Sequence, residues 1–417
     1  MREEQLARSA VEQTALESRG RLLAFLACRT RDLAEAEDAL ADAFHAALRT
    51  WPESGVPAKP EAWLLTAARR RLLDQIRHDR VEDAARPALA SIAQEAQSMM
   101  TGHADFPDDR LKLLFVCAHP AIDAAARTAL MLQTVLGMDA ARIASAFLVS
   151  PAAMSQRLTR AKTKIREAGI AFEIPEAAQL TARLTFVLEA VYAAYGSGWE
   201  DVNGTDQQHG GLTSEAIYLG RLIVRLLPAE PEAKGLLALM LHCEARRAAR
   251  RSGDGAFVPL SDQDVSLWSV ELIAEAEMHL AVAAAVKRPG PFQLEAAIQS
   301  VHAQRADTGT TDWEALALLY EGLVRMAPTA GALVGRAAAV ARARGTADGW
   351  AMLGSIPAST VAAYQSYWAL RAHLLQQLER TAEAVDAWDR AIGLCADPAV
   401  SRFLQDRRDE CCRDECQ

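Results

Sequence analysis

Apolar residues recur every three or four positions along almost the whole chain. Strand-like alternation never persists beyond a few residues. Trp63, Leu64, Ala67, Ala68, Leu72 and Ile76 show the pattern, and so do Met154, Leu158, Ala161 and Ile165. That period places the side chains on one face of a helix, whereas a half-buried strand needs a period of two. Residue preference agrees, because Ala, Leu, Arg and Glu abound and aromatics make up only 6%. The expected fold class is all-α. With 417 residues, 51% hydrophobic and 24% charged, the chain can bury several cores, and two to four domains are expected.

Breaks in the periodicity divide the chain into a helical stretch over residues 8–80, a linker over 81–107, a second helical stretch over 108–170, and a long helical part over 176–408. The linker contains Pro87, Gly102 and Pro107. Loops are expected at Gly196–Gly211, Ser252–Asp264, Lys287–Pro291 and Asp307–Thr311. Charge is divided unevenly. The chain carries a net −9, yet residues 1–170 carry +1 and the remainder −10. An anionic partner is therefore sought in the N-terminal part.

Several function classes fall away. No apolar run reaches the roughly 18 residues that span a bilayer. Met1-Arg2-Glu3-Glu4-Gln5 lacks the apolar segment of a secretory leader, so a cytoplasmic protein with no membrane partner is expected. Seven cysteines occur without a CxxC pair. Cys411, Cys412 and Cys416 crowd the last residues, where a frayed tail in a reducing compartment is weighed against a metal or redox role. No carboxylate pair, nucleophile–base set or phosphate loop stands out, so neither an enzyme nor a cofactor or metal site is expected.

Two helices in the first stretch carry opposite charge. Asp32, Glu35, Glu37, Asp38 and Asp42 fall in a segment with no Lys or Arg up to Leu48. Pro60-Glu61 opens the next helix, whose polar side collects Arg69, Arg70, Arg71, Arg77 and Arg80. Either face taken alone reads as an ordinary solvated surface.

The strongest motif spans Gly137–Gly169. A short helix over Asp139–Phe147 leads through Leu148-Val149-Ser150 into a second helix. Ser150 suits the N-cap, and Pro151 suits the first helical position because it needs no N–H there. Met154, Leu158, Ala161 and Ile165 form the inner face. Ser155, Gln156, Arg157, Arg160, Lys162 and Lys164 lie outside it. A helix–turn–helix of this form enters a DNA major groove, with Ser, Gln and Arg reading base edges and Lys and Arg holding phosphates. The competing reading is a plain basic surface helix.

Taken in order, these motifs resemble a known family. Ala36-Glu37-Asp38-Ala39-Leu40-Ala41-Asp42-Ala43-Phe44, Pro60-Glu61-Ala62-Trp63-Leu64, Ala68-Arg69-Arg70, the linker and the helix–turn–helix are similar to a sigma-70-family RNA polymerase sigma factor of the extracytoplasmic-function type. Gly210-Gly211-Leu212-Thr213-Ser214-Glu215, Leu239-Met240-Leu241-His242 and Leu294-Glu295-Ala296-Ala297 resemble the subgroup with a tetratricopeptide-like C-terminal extension. Two positions depart from the family pattern. Ala41 stands where Gln is usual, and Arg70 stands where Asn is usual.

The resemblance implies that residues 8–80 form a region-two-like domain and residues 108–170 a region-four-like domain. Glu37, Asp38 and Asp42 would contact the β′ clamp helices of core RNA polymerase, and the second domain would meet the β flap. Arg69, Arg70 and Arg77 would serve the −10 element, with Arg70 equally suited to a phosphate. Ser155, Gln156, Arg157, Arg160, Lys162 and Lys164 would serve the −35 element. The loop Trp51–Pro60 would help capture a flipped base. Trp63 would either stack on that base or lie in the core.

Residues 176–408 would regulate or brace the promoter-binding half and offer a surface to a protein partner. Within them, Trp368, Ala372, Ala384, Trp388 and Ala391 keep the offsets of a tetratricopeptide helix pair, and Trp313, Ala317 and Tyr320 begin a similar unit. The alternatives are a one-component helix–turn–helix regulator with a sensing domain, and an adaptor whose basic helix is incidental.

Overall fold

The computed structural model describes residues 2–79, 90–94, 97, 108–147, 149–199 and 207–414. The chain is 79% helical, with no strand among the described residues, as the apolar period requires. It divides into two compact units, Met1–Ala216 and Ile217–Gln417.

The first unit opens with α1 (Arg2–Thr30), α2 (Leu33–Ser54) and α3 (Pro60–Asp79). The run Leu22–Ala27 of α1 is buried at every position. On α2 the buried side is Leu33, Ala36, Ala39, Leu40, Ala43, Ala47 and Trp51. Four alanines in that set let α1 and α3 approach closely. Asp32 starts α2 by accepting the N–H groups of Ala34 and Glu35 at 2.9 and 3.1 Å.

The expected loop at Trp51–Pro60 begins later, because α2 continues to Ser54. Trp51 is fully buried and meets the Trp63 ring edge-on at 5.5 Å, which anchors the last turn despite Pro52. Gly55 then ends the helix at φ 83°, donating its N–H to the Trp51 carbonyl. Most of the expected linker lies outside the described residues, but 90–94 is helical and Ile92 is buried.

Five more helices follow: α4 (Arg110–Cys117), α5 (Ala124–Thr134), α6 (Ala140–Ala146), α7 (Pro151–Glu167) and α8 (Ala177–Trp199). The next, α9, covers Gln207–Leu226. Every residue of α4 except Lys112 is buried. Arg110, 3% exposed, is neutralised by Asp108 at 2.8 Å and by Glu215. Helix α8 packs on α4 and α5 and so belongs to this unit. Gly20 of α1 lies against the Val135 carbonyl, where a Cβ would come within 2.4 Å.

The second unit contains α10 (Pro231–Ala245), α11 (Val270–Ala285), α12 (Pro291–Ala303), α13 (Trp313–Met326) and α14 (Ala330–Arg344). It continues with α15 (Thr346–Gly354), α16 (Gln365–Gln377), α17 (Thr381–Gly393) and α18 (Pro398–Asp414). Consecutive helices pack together. Ser269, Asp312 and Thr329 cap α11, α13 and α14 through their side-chain oxygens. Ala372, Ala384, Trp388 and Ala391 form one core with Leu375, Ala387, Leu404 and Cys411, and Trp368 packs against it. Cys411 is thus a core residue of α18 rather than part of a frayed tail. Cys412 is exposed, and Cys416 lies outside the described residues. No group of three or more His, Cys, Asp or Glu side chains that could hold a metal occurs among the described residues. No described helix is long and apolar enough to cross a membrane.

Candidate functional site

The charged faces expected from the sequence lie on α2, α3 and α7 of the first unit. Burying Ala36, Ala39, Leu40 and Ala43 turns Asp38 and Asp42 outward, and both are exposed. Asp42 accepts Arg71 Nε of α3 at 2.6 Å, with each side chain about half exposed. Such a pair exchanges readily with solvent and contributes little to stability, so it leaves the Asp42 carboxylate accessible. On α3, Arg70 is exposed and Arg69 half-buried. Arg77 lies on the same helix, but its side chain falls outside the described residues. Trp63 is half-buried against Trp51, with its ring held in the packing between α2 and α3.

The start of α7 follows the sequence closely. Ser150 accepts the Ala153 N–H at 3.2 Å, and Pro151 takes the first helical position. Met154, Leu158, Ala161 and Ile165 are all buried. Their burial leaves two outward rows. Arg157, Arg160 and Lys164 border a groove of about 450 Å³ whose other wall is Ala121, Asp123 and Ala125, at the start of α5. Arg160 and Lys164 are exposed there and Arg157 is half-buried, while Ser155 and Gln156 are exposed near the N-terminal end. This row lines up three cations, Arg157, Arg160 and Lys164, along one side of the helix.

The second row does something the periodicity did not announce. Lys162 turns away from the groove and pairs with Glu37 of α2 at 2.5 Å. Arg166, one turn later, comes within 3.6 Å of Asp32. Lys162 and Glu37 are only 15% and 17% exposed, so salt screens this contact much less than an open surface pair. The structure thus separates the expected −35 residues: Arg157, Arg160 and Lys164 border the groove, whereas Lys162 meets Glu37 of α2. It also removes Glu37 from the exposed acidic face formed by Asp38 and Asp42.

The thiols nearby are unsuited to chemistry. Burial pushes Cys28 and Cys117 up to about 12, which keeps both protonated at neutral pH. Residues missed from the sequence include Arg110, Asp108 and Glu215, a charged cluster inside the first unit. Only the coincidence of Arg110 and Lys112 with an otherwise apolar helix pointed towards it.

Residues 16–81 match the family Sigma-70 region 2. Residues 183–284 match a family of unknown function (DUF6596). An uncharacterized protein of Rhizobium meliloti (strain 1021) is 40% identical over 379 residues, covering 90% of this chain and 89% of the relative. No solved structure matches the chain. The region 2 match covers α2 and α3, the elements that carry the exposed acidic face and the arginine row. The chain belongs to the same family as the Rhizobium meliloti protein, and its residues 16–81 are similar to Sigma-70 region 2.

Proposed function

We propose that the protein directs core RNA polymerase to specific promoters, as a sigma factor of the extracytoplasmic-function type. The observation that carries the proposal is the exposed acidic face of α2, with Asp38 and Asp42, inside the region 2 match. A one-sign patch of this kind steers association with a basic partner surface and fixes its register. The β′ clamp helices supply that partner. Arg69, Arg70 and Arg77 on α3 serve the −10 element, where a basic groove offsets the few kcal/mol spent on unstacking a base.

Residues 108–170 form the region-four-like reader of the −35 element in this proposal. Ser155, Gln156, Arg157 and Arg160 meet base edges, and Lys164 meets phosphate. Lys162 joins them once it leaves Glu37. The helical part over 176–408, with its tetratricopeptide-like pairs, regulates or braces that half. The polymerase performs the chemistry, and this chain selects the start site. Co-purification with core enzyme tests the reading. The wild-type chain is expected to form a stoichiometric complex, and Asp38→Lys with Asp42→Lys is expected to lose it. Tight operator binding without any polymerase complex would instead identify a one-component regulator.

A further inference from the structure

The second unit holds a cavity of about 620 Å³ beside the turn that follows α12. Its wall includes His302, Arg305, Thr311, Trp313 and Arg342, and contains no Asp or Glu. The volume falls within the usual range for small-molecule sites. Carboxylates outnumber basic residues in the C-terminal part of the chain, so a wall free of them stands apart from its surroundings.

The two guanidiniums also differ from their neighbours. Arg336 pairs with Glu321, Arg344 with Glu314 and Arg380 with Glu383. Among the described residues, Arg342 has no carboxylate partner. It lies over the Trp313 ring instead, 5.0 Å from the centroid. Arg305 donates to the carbonyls of Ser261 and Gln263 at 2.6 and 3.0 Å and lies over the Trp268 ring. A guanidinium has five N–H donors, so these bonds leave Arg305 able to donate further. His302 meets Trp313 edge-on at 5.9 Å. Burial, then the Arg246 and Arg305 cations, push it down to about 4, which makes it a neutral imidazole at neutral pH. A second cavity of about 400 Å³ shares Trp313 and Arg342 and adds Thr346, His373 and Gln377, again without a carboxylate.

We propose that this cavity binds a small organic anion, with its carboxylate or phosphate on Arg342 and Arg305 and its apolar body against Trp313. The planar fork of arginine matches both acid groups, and stacking on an indole holds the fork in place before the ligand arrives. The indole face and the apolar wall receive the body of the molecule. A neutral His302 offers one N–H and one acceptor without adding charge. The proposal concerns the second unit alone and does not depend on promoter recognition.

Titration of the full-length protein with phenyl phosphate and with benzoate, followed by thermal shift and calorimetry, tests it. A saturable rise in Tm with at least one probe is expected. Arg342→Gln should weaken that binding by about tenfold or more, the scale of one charge-assisted hydrogen bond. Arg344→Gln removes an equal charge from outside the cavity wall and should leave binding unchanged. Circular dichroism establishes that both variants fold. Failure of both probes to saturate, or equal weakening in the two variants, would overturn the proposal. Binding of a hexaglutamate peptide with neither small probe bound would overturn it in favour of a peptide surface.

Discussion

Lys162 of α7 and Glu37 of α2 form an ion pair across 125 residues of sequence, at 2.5 Å and with both side chains largely covered. The pair joins the helix proposed to read the −35 element to the helix proposed to meet polymerase. With both partners desolvated, removing one leaves the other buried without compensation. Glu37→Gln and Lys162→Gln should therefore each destabilise the protein, and the double variant should be less unstable than the sum. A coupling of about 0.5–3 kcal/mol is expected from a double-mutant cycle in urea unfolding. Additive effects would show that the ion pair carries no energy.

Replacing Arg157 and Arg160 by Ala should weaken promoter binding by about 1–3 kcal/mol for each base edge no longer read, and relax sequence preference. Lys164→Ala should weaken binding about equally across sequences and lower its salt dependence. Quantitative gel shifts of the protein–polymerase complex on matched and mutated −35 sequences distinguish these outcomes. Unchanged preference in the arginine variants would remove α7 from the reader role.

Gly20→Ala should be costly although alanine favours helices. The new Cβ would meet the Val135 carbonyl at 2.4 Å, and a backbone atom cannot swing aside. Forced separation of α1 from the end of α5 should cost about 1–3 kcal/mol, read from the shift in the urea midpoint. A stabilised variant would contradict the close approach.

His242 predicts an acid-sensitive second unit. It is 1% exposed, and burial, followed by the Arg246 cation, pushes it down to about 4. Glu277 lies 3.4 Å away but is 43% exposed, so water screens its opposing pull. In the unfolded chain the imidazole titrates near 6.5. Unfolded molecules therefore bind a proton that the folded form refuses. The stability is fully present above pH 6.5 and falls as pH drops towards 4, by about 3 kcal/mol for this group. His302, also pushed down to about 4, steepens the same window. Urea unfolding across that range should show a shallower slope in His242→Asn. An identical slope would contradict the assignment.

The position of α8 bears on truncation. It packs on α4 and α5, so a chain ending near Pro175 exposes the apolar face it covers. That truncation should melt at a lower temperature than one ending after Leu226. Equal melting temperatures of the N-terminal part would show that α8 contributes nothing to it.

Local features were legible in the sequence because their causes are local. The inner face of α7, its Ser150 cap and its Pro151 start follow from helical period and capping chemistry, and the structure shows all three. The pairing of Trp368 and Ala372 with Ala384, Trp388 and Ala391 was legible for the same reason. The end of α2 was not legible, because Pro52 signals a break, whereas the buried edge-on packing of Trp51 on Trp63 holds the turn. Helical period could say that Lys162 faces outward, but not that Glu37 would cover it. That pairing depends on how α7 packs on α2, as the absence of a carboxylate partner for Arg342 among the described residues depends on which carboxylates its neighbours claim.

Promoter-dependent run-off transcription with purified core RNA polymerase tests the central claim most directly. Core enzyme alone should give no specific transcript from a promoter upstream of a target gene. Adding the wild-type chain should give a transcript of defined length, and adding the Asp38→Lys, Asp42→Lys variant should give none. A wild-type chain that binds the promoter yet yields no specific transcript with core enzyme would contradict the account.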